Sequence, residues 1–292
     1  MGTSASSKGP GGGVPMVPPW VPPASPNPPQ DGDGAAPTDG DGPDGQLPTG
    51  PNQSPPQQPA QAQPSPLAPA ARFGGTRLNL GKFARGGDRR DMRRGLRDYV
   101  RKGYGGRATA VKRFGGTAST AGTLYGALSS VAGGQAASPG SPLDPVLLAG
   151  RAAREVMDAI VEAVRPADGT QDAEASRAAI KDALSELLTI FPDADLLNLS
   201  EDQRGAAIER FVAIDVYRRA VLDIGKTIQD KAPTATVGLA RLKEVKDYIK
   251  QTVAAAFRKL RAAGDRVTTG RVNQFVRAAL GETFQVFEAY VR

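Results

Sequence analysis

Six arginines, Arg89, Arg90, Arg93, Arg94, Arg97 and Arg101, form the densest chemistry-bearing group in the chain. Guanidinium groups at this density bind phosphate oxygens or dock on an acidic protein surface. Aromatic interleaving is limited to Tyr99 and Tyr104, and no base-reading module is recognisable. Non-specific DNA contact, protein docking and a solvated basic face therefore stay open. Two groups of carboxylates follow: Asp168, Asp172 and Glu174, then Asp193, Asp195, Glu201 and Asp202. Paired carboxylates can run acid–base or magnesium chemistry, but at helix starts they serve the dipole and the caps, which is the expectation here. The chain has neither His nor Cys. That removes the commonest general base, the thiolate nucleophile, and the usual zinc and catalytic-triad arrangements. The expectation is a protein that is not an enzyme and carries no cofactor or metal.

Two weaker motifs look like ligand loops. Arg72-Phe73-Gly74-Gly75-Thr76 recurs as Arg113-Phe114-Gly115-Gly116-Thr117. A repeated turn is expected, with Phe as anchor, Gly-Gly at positive φ and Thr opening the next element. The alternative is a phosphate-cradling loop, but the Gly-Lys-Ser/Thr of a P-loop is missing. The Asp-Gly run at 31–45 imitates a calcium loop. Pro43 stands where a ligand should be and no Glu closes the loop, so it reads as linker.

These groups sit in three compositional regions. Residues 1–71 hold 19 of the 25 prolines, and their one Lys against five Asp gives a net charge of −4. Such a segment cannot bury enough apolar surface to offset its ordering entropy, so a disordered Pro/Gly-rich arm is predicted. Within it Val17 and Trp20 lie among prolines, a candidate docking motif on a polyproline II frame. Gly2 after Met1 predicts removal of the initiator and an accessible glycine amine at the tip. Residues 72–125 carry fourteen Lys/Arg and three Asp, net +11, and read as a basic helical neck. Residues 126–292 balance 22 basic against 22 acidic residues and read as an all-helical domain.

Helical periodicity positions the rest, and the fold class expected is all-α, ending in a C-terminal multi-helix bundle. In the neck, Met92, Leu96, Tyr99 and Val100 form one stripe over 88–102, with Asp88 as cap. Further helices are predicted near 108–114 and 119–131. Asp144-Pro145 opens one to 164 with a break at Gly150. Others cover 171–190 and, from a Ser200–Gln203 capping box, 200–230 with Ile208, Phe211, Val212 and Leu222 inward. Two more span 234–263 and 269–292, the last two packing through Leu242, Ile249, Val253, Phe275, Phe284 and Phe287. Asp215 and Arg219 are expected to be an ordinary i,i+4 helix pair. No window alternates with a strand's period, and no apolar run approaches membrane-spanning length, so a cytoplasmic protein with no membrane contact is expected.

The order of these motifs resembles a known family. Met1-Gly2-Thr3-Ser4 with Gly/Pro repeats and Val17-Pro18-Pro19-Trp20 comes first. Arg72-Phe73-x-Gly75-x-Arg77-x-Asn79-x-x-Lys82-Phe83 and Gly87-Asp88 follow, then Tyr99-Val100, Gly105-Gly106-Arg107 and Arg113-Phe114-Gly115. This pattern is similar to the QatB family, the B component of the bacterial Qat anti-phage defence system. The resemblance implies a component without assigned catalysis. The partners it implies are a defence-operon ATPase, a deazaguanine-synthase-like (QueC-like) protein and a TatD-like nuclease. It also implies a role for Gly2 as acceptor for nucleobase conjugation.

Overall fold

A computed structural model describes residues 72–134 and 140–290. The arm, with Gly2, Val17 and Trp20, lies outside the described residues. Ten α-helices are present among those described, and no strand.

The first, α1 (Gly74–Gly86), begins directly after Phe73, and α2 (Arg89–Asp98) follows with Asp88 as its cap. The Asp88 carboxylate accepts from the Arg90 amide at 2.8 Å, and the first-turn donors gain the partner the helix itself cannot supply. The helix widens into a π-turn over Tyr99–Gly103, which ends where the ring of Phe73 lies against Gly103. A Cβ there would overlap that ring, so only glycine permits the approach. Then come α3 (Arg107–Arg113) and α4 (Gly115–Ala132).

The predicted turn chemistry of the Arg-Phe-Gly-Gly-Thr repeat needs correcting. None of its four glycines is at positive φ. Both copies instead start helices: Phe73 and Phe114 occupy the N-cap positions, and each Gly-Gly forms a first turn. At Gly75 the absent side chain matters, because a Cβ would stand 2.8 Å from an oxygen of Asp98. The buried carboxylate of Asp98 can therefore approach the positive end of α1.

After the 135–139 interval, Asp144 caps the short α5 (Pro145–Leu148), accepting from the Val146 amide at 3.0 Å. The predicted break at Gly150 separates it from α6 (Ala153–Val164). The remaining helices are α7 (Gln171–Ile190), α8 (Glu201–Lys231), α9 (Ala235–Ala262) and α10 (Val272–Glu288). The Ser200–Gln203 capping box is formed at the start of α8, with reciprocal bonds of 2.9 and 3.2 Å.

The hub is α8, which packs against α1, α4, α7 and α9. Every residue from Phe211 to Val216 is buried, so this stretch is enclosed on all sides. Leu222, expected inward, is 48% exposed on the outer side of the same helix. The final helix packs against α9 through Phe257 and Phe275, whose ring centroids are 5.1 Å apart. It also covers α2, α3 and α4, where Phe284 meets Phe114 at 5.1 Å. Apolar side chains from Phe73 to Val131 and from Leu143 to Phe287 enter one continuous core.

Candidate functional site

The six predicted arginines divide by what they touch. Arg97 is tied inward, donating to the Tyr290 carbonyl at 3.5 Å and to Asp98 Oδ1 at 3.4 Å. Arg93 lies over the rings of Tyr248 and Tyr290, each at 5.7 Å. Arg94 pairs with Asp91 at 3.4 Å, and Arg89 reaches Glu244 only at 3.8 Å. Arg90 and Arg101 are exposed and have no ion pair among the described residues. The stripe is thus partly structural: Arg93 and Arg97 help hold the C-terminal end of the chain against α2.

The outward charge comes from a wider set. On α1, Arg77, Lys82 and Arg85 are exposed alongside Leu78. The three carboxylates of this segment do not offset them. Asp88 is a helix cap, Asp91 holds Arg94, and the buried Asp98 takes Asn79, Arg97 and Lys102. Each anion is directed to a local partner, and the surface is left cationic. The signal was present in the residue counts, but only the fold tells which arginines are free.

A second grouping emerges where the repeat meets α8. Tyr104 is wedged between the two motif phenylalanines, 5.7 Å from Phe73 and 5.6 Å from Phe114. Its hydroxyl and that of Tyr99 both donate to Asp223 Oδ2 at 2.8 Å. Burial, then the charges of Tyr104 and Asp223, push the Tyr99 phenol well above its ordinary range. Burial and then Asp223 push Tyr104 up to about 12. Both hydroxyls keep their protons near neutrality and act as donors rather than bases.

Beside them is a cavity of about 260 Å³. Arg72 and Arg113, the first residues of the two motif copies, both line it, as do Tyr104, Asp172, Arg219 and Asp223. Leu222 contributes to its rim. Arg219 Nε donates to Asp215 at 3.1 Å and its Nη1 to Asp172 at 3.1 Å. Asp215 is fully buried and also accepts from the Thr117 hydroxyl at 2.6 Å. The expected helix pair is therefore anchored inside the fold: the buried Asp215 ties α8 to the start of α4, while the half-buried Arg219 reaches the exposed Asp172 on α7. Sequence spacing identified the pair but not its burial.

Several of the other carboxylates are engaged locally, while Asp193 is exposed in its turn. Asp168 accepts from the Thr170 amide and hydroxyl at 2.9 and 2.6 Å, and these bonds, above all the hydroxyl's, hold its carboxyl below the usual range. Asp195 accepts from the Leu197 amide, while Glu201 and Asp202 occupy the first turn of α8. Among the described residues, no three acidic groups are placed to hold a metal ion. No helix there is long and apolar enough to cross a membrane.

Helical scaffold, cationic face and an ionic strut anchored on the buried Asp215 together characterise an all-α protein. Residues 105–287 match the family model described as the Qat anti-phage system associated protein QatB. The chain belongs to the QatB family and is a component of an anti-phage defence system. No curated protein and no solved structure matches it.

Proposed function

We propose that the chain is a non-catalytic scaffold or adaptor within its defence system. In this reading it brings together an ATPase, a QueC-like deazaguanine-synthase relative and a TatD-like nuclease, and Gly2 is the acceptor for nucleobase conjugation. Membership of the QatB family carries the proposal. A composition without His or Cys supports it, because the commonest catalytic bases and nucleophiles are missing. Gly2 is suited to the acceptor role by chemistry: once Met1 is removed, Thr3, Ser4, Ala5 and Ser6 are small enough to follow the amine into a narrow channel. Val17 and Trp20 are the proposed docking anchors that raise the local concentration of the terminus at the modifying enzyme. The proposed organisation is an arm over 1–71, a basic region over 72–125 and a helical domain over 126–292, in a cytoplasmic protein.

Intact-mass measurement of the chain co-expressed with its operon partners tests this. The expected result is an adduct on the N-terminal peptide of the parent and none in Gly2→Glu, which retains Met1. An unmodified N-terminus in an operon that protects against phage overturns the acceptor role. Failure of the chain to co-purify with any operon protein overturns the scaffold.

A second reading has its own observation. The carboxylates of the basic segment are occupied by local partners while Arg77, Lys82, Arg85, Arg90 and Arg101 are exposed. That face suits a nucleic-acid backbone, which would let the protein deliver the nuclease to DNA through non-specific contact. Arg85→Glu with Arg90→Glu and Arg101→Glu spares the structural Arg93 and Arg97. The triple variant is expected to lose salt-dependent DNA binding with helicity unchanged; DNA affinity equal to the parent's removes this reading.

A further inference from the structure

The cavity between the two Arg-Phe-Gly-Gly-Thr copies and α8 has no part in the scaffold role, yet its wall is chemically specific. Each copy of the motif sends its arginine to the same space, and Arg219 supplies a third guanidinium. Arg219 is locked by Asp215 and Asp172. Arg72 is laid against the Phe73 ring at 4.5 Å and comes only within 3.8 Å of Asp223 Oδ1, beyond hydrogen-bond range. Arg113 is exposed and has no ion pair among the described residues. Donors on Arg72 and Arg113 are thus left for a ligand, and planar guanidinium forks match tetrahedral oxyanions.

The two carboxylates in the wall decide which oxyanion. Asp172 is spent on Arg219 at 3.1 Å. Asp223 receives both phenol hydrogens on Oδ2, which leaves Oδ1 without a hydrogen bond at the cavity. A carboxylate oxygen in such a place repels an anion with no proton and accepts a hydrogen bond from one that has a hydroxyl. We propose that this cavity binds inorganic phosphate in its monohydrogen form. Arg72, Arg113 and Arg219 hold the ionised oxygens, and the P–O–H donates to Asp223 Oδ1. Sulfate is fully ionised at neutral pH and meets repulsion at Oδ1. A phosphate monoester is mostly dianionic there and also lacks the hydroxyl. Selectivity for inorganic phosphate over both is the signature of the site.

Equilibrium dialysis of the full chain against labelled phosphate at low, fixed ionic strength tests the proposal. The parent is expected to bind one phosphate saturably, displaced by unlabelled phosphate but poorly by sulfate or adenosine monophosphate. Arg113→Gln, at an exposed position, is expected to weaken binding roughly tenfold or more. Lys112→Gln beside it is expected to bind as the parent does. Asp223→Asn is expected to admit sulfate as an effective competitor, with helicity checked by circular dichroism; should that variant unfold, the parent competition and Arg113→Gln still decide. The proposal is overturned if the parent shows no saturable binding, if sulfate competes as well as phosphate, or if Arg113→Gln binds like the parent.

Discussion

Tyr104 is a single side chain with several obligations: it separates Phe73 from Phe114, donates to Asp223 and borders the cavity. Its proton is therefore coupled to folding. An ordinary phenol in the unfolded chain ionises at about 10, whereas Tyr104 is pushed up to about 12 and Tyr99 is raised in the same sense. The folded state holds these protons more tightly than the unfolded state. The stabilisation is complete below the unfolded value and is lost as pH rises through the folded one. Between about pH 10 and 12 the protein is expected to lose stability, and phenolate absorbance from Tyr99 and Tyr104 to appear together with loss of helical circular dichroism. Titration of all six tyrosines in an intact fold at the ordinary value would contradict this. Little of this cluster was legible in sequence. Tyr99 reads as one position of an amphipathic stripe, and its partner Asp223 lies on a helix far along the chain. Asp215 and Arg219 were visible as a pair, but helical spacing alone does not show which face is enclosed.

At the level of elements, caps and breakers carried most of the information. Asp88, Asp144 and Ser200 open their helices as their chemistry dictates, and the bounds of α7 follow from its apolar face and Pro192. The helix α1 was not anticipated, for a physical reason. Its buried positions are Thr76, Leu80, Gly81, Phe83 and Ala84, while Leu78 faces solvent. A threonine and a glycine occupy inward positions and a leucine an outward one, so no apolar stripe is readable. The aromatic stripe of α10 was legible, and the structure makes it core. Phe284 is fully buried, touching Phe114 at 5.1 Å and Phe287 at 6.2 Å. Phe284→Ala is expected to cost roughly 3–5 kcal/mol in urea unfolding. A variant as stable as the parent but defective in binding would make that face an interface instead.

In the molecule as a whole, the basic helices and the last helix depend on each other. The core runs from Phe73 to Phe287, and α10 covers α2, α3 and α4. A chain cut before Val272 is expected to lose cooperative melting throughout its remaining helices, including α1 and α2. Persistence of a sharp transition with native helicity in α1–α4 would show that the basic segment folds without its cover. The Phe114–Phe284 contact also bears on how the protein is made. A ribosome releases the arginine-rich helices long before it releases the helix that seals them. Until α10 emerges, Phe114 and the aromatic side chains around it lack their lid. A nascent chain of this design is at its stickiest and most basic at the same time, beside a particle made largely of RNA. Emergence of α10, not the appearance of the basic helices, is the step that lets this core close.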